Sequence, residues 1–318
     1  MRIFRILALV FFLAYLAVYP GSTLMVALDR VPAWGEWLSS ALLMVQGAAV
    51  LCWLVGAYGR RGAVAALLVT ALAWGVEHIG VTFGFPFGCY SYTAQLQPLL
   101  FGAVPLAIAC AWLMVAIGAW QLATTDDRPF AATVPELDEG QGRRRTADDR
   151  RFSAMVGGRW SVVVAATLVL LLDLQIETVA TKINAYWIWR DHGPYYGVPT
   201  ANFVAWWLVG LAMALVVAKL VPVNEDQHSS RARDLPVYER EIHLRRRYAL
   251  RTTHYILRRL PAALYVLSTL MFAIVNLAHG YALAGCIGVA VLVVVVLRLL
   301  PHVGGFTVAQ ARDARKAE

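Results

Sequence analysis

The sequence predicts an all-α protein: a polytopic integral membrane bundle of about eight transmembrane helices, with both termini in the cytoplasm. Its 318 residues are 59% hydrophobic and only 15% charged, which is more apolar surface than a soluble domain of this size can bury. Several apolar runs reach the roughly 20 residues that cross a bilayer as a helix. The Lys and Arg residues are concentrated in every second segment between these runs, which is the pattern that the positive-inside rule describes.

Eight apolar segments are long enough to be interpreted as spans, about 6–28, 37–58, 62–83, 98–122, 160–181, 199–221, 261–278 and 282–300. The last two are short and are joined by a turn near His279 and Gly280, so seven is the alternative count. The first follows Arg2 and Arg5 as a signal peptide would, but it continues to about Leu28 with no clear cleavage site, and we interpret it as a retained anchor. The chain is treated as one membrane domain, 1–318.

The orientation of the bundle follows from its positive charges. If the N-terminus is cytoplasmic, all but three of the 28 Lys and Arg residues lie on the cytoplasmic side, the exceptions being Arg30, Lys182 and Arg190. Such asymmetry predicts cytoplasmic termini, an even number of spans and a multi-pass protein of the cell (plasma) membrane. The net charge of +8 then reflects topology and contact with lipid headgroups, and it does not indicate a nucleic-acid partner.

The connecting segments fall into two kinds. The predicted cytoplasmic loops, 124–158 and 222–258, are polar, and 237–259 mixes Arg with Tyr, Ile and Leu, which suits either a basic helix on the inner leaflet or a solvated charge run. The outer loop 84–97 has no charge, and 182–198 is dense in aromatic residues. Irregular backbone at membrane depth must be buried in protein or line a cavity, so these two loops are predicted to fold back over the bundle as lids.

Three carboxylates, Glu77, Asp173 and Glu177, are the acidic residues that lie inside apolar spans. Each costs roughly 2.5–3.5 kcal/mol on insertion scales, so such residues usually face the bundle interior. At about 1.5 Å per residue, all three lie in the outer half of the predicted bundle, beneath the two loops. Asp173 and Glu177 share a helix face at i and i+4, and one of them is expected to keep its proton near neutral pH. The alternative is a purely structural set of interhelical hydrogen bonds, or a pair with Lys182.

The residues around these carboxylates complete the predicted site. Asn202 and Trp206 enter the sixth span from the same outer side, and Glu77 shares a face with Gly80 and Gly84, a spacing that also suits close helix packing. The two outer loops supply a set of aromatic side chains, Tyr90, Tyr92, Trp187, Trp189, Tyr195 and Tyr196. The alternative interpretation of these aromatics is an interfacial belt.

The sequence contains none of the local motifs that would indicate a cofactor. The spans have no HxxxH, HExxH or paired DxxxD pattern, and the chain has no GxGxxG or GKS/T. The four cysteines, Cys52, Cys89, Cys110 and Cys286, show no metal-binding or disulfide spacing. We therefore expect no metal, haem or nucleotide cofactor.

Three stretches resemble a known family. They are WGVEHIGVTFGFPFGCYSYT at 74–93, GAVPLAIACAW at 102–112 and LDLQIETVATKINAYWIWRDHGPYYGVPTANFVAWW at 172–207. In order and spacing they are similar to the membrane carotenoid biosynthesis proteins of the CruF type, the carotenoid 1,2-hydratases (bisanhydrobacterioruberin hydratase in archaea). The resemblance covers about half of the chain, roughly 60–215. One departure is Glu177–Thr178, where the family pattern leads us to expect an Asp-Pro pair.

The resemblance implies a reaction that suits the predicted site. Water is added across the C1=C2 bond of a linear ψ-end group: a neutral carboxylic acid protonates C2, and water captures the tertiary cation at C1. Glu77 is the expected acid, and Asp173 with Glu177 would hold and deprotonate the water. Asn202 would orient a carboxylate or the water, and the pocket wall is expected to include Tyr92, Trp187, Trp189 and Tyr196. Aromatic faces stabilise such a cation.

The resemblance also implies the partners. The expected substrate is a carotenoid dissolved in the lipid bilayer, of the lycopene, γ-carotene or C50 polyene type, and no cofactor is expected. Association with other enzymes of the carotenoid pathway is left open. Two other functions remain as alternatives: another acid-initiated end-group enzyme, such as a cyclase, and a non-catalytic polyprenoid- or carotenoid-binding or transport protein.

Overall fold

The computed structural model describes residues 1–124, 159–221 and 259–299. The predicted loops at 124–158 and 222–258, with the basic segment 237–259, lie outside these ranges except for their end residues. The described ranges contain eight long helices: α1 Arg2–Ala27, α2 Leu38–Tyr58, α3 Arg60–Phe83, α4 Leu106–Thr124, α5 Arg159–Thr178, α6 Thr200–Leu220, α7 Leu260–Ala278 and α8 Ala282–Leu299.

Seven of the helices in the described ranges, α1 to α7, are long and apolar enough to cross a membrane. The eighth, α8, is the shortest, and its apolar part, Ala282–Leu297, falls below that length. Large apolar side chains such as Leu67, Leu208 and Leu297 point outward and are more than half exposed. An apolar exterior around a packed interior is the arrangement expected of a multi-pass membrane protein.

Helix α4 lies at the centre of the bundle. It packs against α2, α3, α5, α6 and α7, and most of its side chains are buried. Small residues allow these close contacts: a Cβ added at Gly118 would lie 2.8 Å from the Pro261 carbonyl oxygen of α7. Helix–helix association in lipid depends on this kind of packing because apolar burial between helices brings little gain there.

The fourth span begins later than predicted. Helix α4 starts at Leu106, whereas an apolar run from about 98 suggested a span over 98–122. Residues 99–105 instead form a small hairpin, β2 Leu99–Leu100 with β3 Val104–Pro105. Its turn contains Phe101 and Gly102, both with positive φ, so the chain cannot remain helical there.

The two loops predicted to lie on the outer side, 84–97 and 182–198, pair with each other at one end of the bundle. Strand β1, Tyr90–Tyr92, is antiparallel to β4, Trp187–Trp189, with Tyr90 opposite Trp189 and Tyr92 opposite Trp187. Because side chains alternate along a strand, Ser91 and Ile188 point the other way, and Ile188 is exposed. This two-stranded ribbon is the lid that the uncharged, aromatic composition predicted.

Candidate active site

Glu77 reaches the bundle interior because α3 buries one face. Its buried positions include Val69, Ala73, Glu77 and Gly80, the three- and four-residue spacing of a helix face. The helix ends at Gly84, whose left-handed φ of 72° suits glycine at a helix terminus. The chain then turns back toward the bundle and enters β1, so the ribbon is carried directly over Glu77.

Three donors surround the Glu77 carboxylate. The Tyr90 and Tyr92 hydroxyls donate to Oε2 over 2.5 and 2.7 Å, and the Trp112 indole N–H donates to Oε1 over 2.9 Å. Burial, followed by the nearby charge of Glu77, raises the pKa of both tyrosines well above the usual value for a phenol. Both hydroxyls therefore keep their protons at neutral pH and act as donors.

Glu177 has a second, similar environment on α5. The Trp189 and Trp187 indole N–H groups donate to its Oε2 over 2.9 and 3.3 Å. The amide of Asn202 donates to Glu177 Oε1 over 3.1 Å and to Asp173 Oδ2 over 3.0 Å. One amide group thus bridges the two carboxylates of α5, and all three side chains are almost fully buried.

The ribbon brings the two carboxylate environments together. The donors to Glu77 come mainly from β1, and those to Glu177 come mainly from β4. Their rings touch across the pair: the Tyr90 and Trp189 centroids are 5.0 Å apart, and those of Tyr92 and Trp187 are 6.1 Å apart. Cross-strand aromatic pairs stabilise such a ribbon, so its own stability helps to hold both carboxylates in place.

An open cavity with about 1290 Å³ of empty space, its mouth included, lies beneath the ribbon. Its wall is mainly apolar and aromatic, with a few convergent polar groups, as is typical of a small-molecule site. Eight of the residues predicted from the sequence line it: Glu77, Glu177, Tyr90, Tyr92, Trp187, Trp189, Asn202 and Trp206.

Comparison with known proteins assigns the chain to a family. The family described as "Carotenoid biosynthesis protein" matches residues 38–295. The chain belongs to this family. It is also 26% identical over 159 residues to the bisanhydrobacterioruberin hydratase of Haloarcula japonica, a match that covers 49% of this chain and 45% of the relative. The matched segment is thus less than half the length of that relative. No solved structure matches the chain.

The matched region of this carotenoid biosynthesis family contains both carboxylate environments and the whole ribbon, because 38–295 extends from the start of α2 into α8. Helix α1 lies entirely outside the matched region. The family relationship establishes a place in carotenoid biosynthesis.

Two predicted pocket residues lie elsewhere. Tyr195 and Tyr196 are not among the cavity-lining residues of the described ranges. The Tyr195 hydroxyl donates to the Leu174 carbonyl over 2.7 Å, and the Tyr196 hydroxyl accepts from the Leu283 N–H over 3.2 Å. Their hydroxyls thus connect the second outer loop to α5 and to the start of α8, so Tyr196 does not form part of the pocket wall.

Asp173 is a partial exception to the predicted arrangement. It is fully buried, yet it does not line the cavity and reaches it only through Asn202. Its Oδ1 accepts no hydrogen bond from the described residues. Asp173 is therefore a carboxylate behind the cavity wall, coupled to Glu177 through one shared amide.

Sequence reasoning missed Trp112, the third donor to Glu77. Its ring also stacks on Trp206, with centroids 3.8 Å apart and planes 19° apart. A buried tryptophan usually places its N–H on an acceptor, and Trp112 lies in an apolar span, so it could have been paired with one of the three carboxylates. Phe87 and Tyr186, which also line the cavity, gave no such signal.

Proposed function

We propose that this protein is a carotenoid hydratase that adds water across the C1=C2 bond of a linear ψ-end group. The observation that carries the proposal is the pairing of two buried carboxylates, Glu77 and Glu177, across one apolar, aromatic cavity. Hydration of an isolated alkene requires an acid on one side and a held water on the other. The family and the hydratase name of the Haloarcula japonica relative support the same reaction class.

Glu77 is the proposed acid. Two donors occupy Oε2 and one occupies Oε1. A carboxylate offers about four lone-pair sites, so a proton can occupy the remaining site on Oε1. Transfer of that proton to C2 forms the C2–H bond and leaves a tertiary cation at C1. The stacked Trp112 and Trp206 provide aromatic faces that stabilise positive charge.

Glu177 and Asp173 are proposed to hold the water that captures the cation. The water oxygen forms the bond to C1, and its proton passes to the carboxylate pair that Asn202 bridges. The product is a tertiary alcohol, and the net change is one added water. Return of the proton from the pair to Glu77 resets the site, and the Tyr90 and Tyr92 hydroxyls, which bond to Glu77, are proposed to deliver it.

The substrate is proposed to be a bilayer-dissolved carotenoid of the lycopene, γ-carotene or C50 polyene type. We propose that one end group enters the cavity and that the rest of the polyene extends laterally into lipid.

We further propose that both termini are cytoplasmic, that the ribbon faces away from the cytoplasm and that the protein lies in the plasma membrane. Cysteines placed singly at 145 and 192, in a variant without the four native cysteines, should be labelled from the inside and the outside respectively; the reverse pattern would refute this topology.

The reaction is tested by expression in cells that make lycopene, followed by mass analysis of the pigments. Hydration adds the mass of one water per reacted end, with oxygen from H₂¹⁸O and one deuterium at C2 in D₂O. Cyclisation adds no mass, and a binding or transport protein leaves the pigment unchanged while co-purifying with it. Membranes treated with EDTA under nitrogen should remain active; a requirement for O₂ or a reductant would refute the acid–water mechanism.

A further inference from the structure

The cavity has a second group of polar residues on the wall away from the carboxylates. Tyr15 of α1, Gln46 of α2 and Ser268 of α7 all line it, and none is more than 4% exposed. At about 1.5 Å per residue, they lie roughly 12–18 Å below the ribbon ends of their helices, whereas Glu77 lies about 9 Å below the end of α3. This group is therefore deeper in the bundle than the candidate acid.

The polar atoms of this group lack well-formed hydrogen bonds. Tyr15 Oη, Gln46 Oε1 and Ser268 Oγ make no hydrogen bond of ordinary geometry with any described residue, although the Tyr15 hydroxyl lies close enough to Ser268 and Gln46 to interact with both. Two other described hydroxyls nearby have partners: Tyr19 donates to the Leu267 carbonyl over 2.8 Å, and Thr269 donates to the Tyr265 carbonyl over 2.9 Å. Buried polar groups are normally paired, so three unpaired atoms around one cavity wall indicate a ligand.

We propose that Tyr15, Gln46 and Ser268 form a hydroxyl-binding subsite for the ligand of this cavity. The amide oxygen accepts, and the two hydroxyls can each donate or accept, which complements a single alcohol or water O–H. The inference rests on the proposed function for its ligand class, a polyene whose end group lies in this cavity. The bound hydroxyl comes either from an oxygenated polyene or from a water molecule held beside the chain.

Tryptophan fluorescence separates these sources without requiring turnover, since Trp112, Trp187, Trp189 and Trp206 all line the cavity and a bound polyene quenches them. Purified protein is titrated with lycopene and with 1-hydroxylycopene. If the subsite binds the ligand hydroxyl, 1-hydroxylycopene should bind about five- to tenfold more tightly, the worth of one added hydrogen bond. Gln46→Leu and Ser268→Ala should remove this preference and leave lycopene affinity unchanged.

Thr269→Val is the matched control, because Thr269 neighbours Ser268 on α7 but bonds to its own helix and does not line the cavity. If the subsite holds water, the wild type shows no preference, and Gln46→Leu and Ser268→Ala slow hydration more than Thr269→Val at equal lycopene affinity. The inference would be overturned if Gln46→Leu and Ser268→Ala changed neither the preference nor the rate. It would also be overturned if, in the ligand-free protein, these two substitutions lowered the melting temperature more than Thr269→Val does. A hydroxyl preference without hydration would refute the proposed function alone.

Discussion

The Glu77 and Glu177 environments have the same number of hydrogen-bond donors but differ in their chemical kind. Each carboxylate accepts two bonds at Oε2 and one at Oε1. Around Glu77, two of the three donors are tyrosine hydroxyls. Around Glu177, they are two indole N–H groups and one amide. A hydroxyl can rotate and become an acceptor, whereas an indole or amide N–H can only donate.

This difference indicates which carboxylate is suited to changing its protonation state. When Glu77 gains or loses a proton, the Tyr90 and Tyr92 hydroxyls can rotate and change from donor to acceptor. No buried O–H or N–H group is then left pointing at another donor. The donors around Glu177 are fixed and favour a permanent carboxylate. We infer that Glu77 exchanges protons, that Glu177 orients the water, and that the proton released by the water is shared by the pair of Glu177 and Asp173, which Asn202 bridges.

The largest expected effect comes from Glu77→Gln. Glutamine can direct its NH₂ to the tyrosine hydroxyls, which accept, and its oxygen to the Trp112 N–H, so the variant should fold. It has no acid proton, and hydration should fall at least 10²-fold, the lower end of a general acid's contribution. The measurement is initial rate in membranes that contain matched amounts of protein. A variant that retains about half of its activity would assign Glu77 a structural role and move the acid to the α5 pair.

Glu177→Gln should instead destabilise the protein. Its NH₂ must face either the two indole N–H groups or the amide of Asn202, and an unsatisfied buried donor costs about 1–3 kcal/mol. We expect a clear fall in melting temperature in detergent, larger than for Glu77→Gln, which serves as the matched control. Equal melting temperatures would show that donor kind does not distinguish the two environments, and the comparison would fail.

Gly80→Ala should disturb mainly the Glu77 environment. A Cβ at Gly80 would lie 2.8 Å from Phe87 Cδ2 and 2.9 Å from the Tyr90 hydroxyl oxygen, so the ribbon must shift. Overpacking of this kind costs about 1–3 kcal/mol, and here it should also weaken the Tyr90–Glu77 bond and reduce hydration several-fold. Gly75→Ala is the control on the same helix, since its Cβ would meet nothing within 4 Å; equal effects of the two substitutions would argue against a tight ribbon contact.

The carboxylates could be predicted from the sequence because charge inside an apolar span is costly and therefore informative. Their donors could be predicted only in part. Tyr90 and Tyr92, like Trp187 and Trp189, alternate at i and i+2, but three-residue strands give little signal, and pairing between positions about 100 residues apart has none. The composition of the outer loops also could not separate Tyr195, which bonds to α5, from Tyr90, which bonds to Glu77.

The other differences between the prediction and the structure arise because hydropathy alone does not specify local backbone conformation or helix packing. An apolar run such as 98–105 suits a helix or a hairpin equally well, and only the positive φ values of Phe101 and Gly102 decide between them. The partner of Trp112 depends on the rotation of α4, which packing sets. Gln46 lies in a strongly apolar helix. A single amide in a span does not show which side chains of other helices it faces, so its place on one cavity wall with Tyr15 and Ser268 could not be predicted.

The smallest expected effects come from removing single donors, and they test whether the tyrosines relay protons or only anchor the ribbon. Tyr90→Phe removes the 2.5 Å bond to Glu77, whereas Trp187→Phe removes the 3.3 Å bond to Glu177, the longest of the six. One neutral hydrogen bond contributes about 0.5–1.5 kcal/mol, so Tyr90→Phe should slow hydration about fivefold if the hydroxyl only anchors the protonated Glu77. The Trp187 bond is long, and Trp189 still donates to the same oxygen over 2.9 Å, so Trp187→Phe should stay within about twofold.

A relay adds a kinetic signature to this pair. If the Tyr90 hydroxyl returns the proton to Glu77, its loss makes reprotonation slower, and the solvent deuterium isotope effect on steady-state turnover should rise for Tyr90→Phe but not for Trp187→Phe. An indole N–H can donate a hydrogen bond but cannot accept one, so it cannot relay a proton. Trp187→Phe therefore controls for the loss of one aromatic donor from the same ribbon. If both variants lose equal rate with unchanged isotope effects, the ribbon serves only to hold the carboxylates, and the difference between hydroxyl and indole donors has no catalytic meaning.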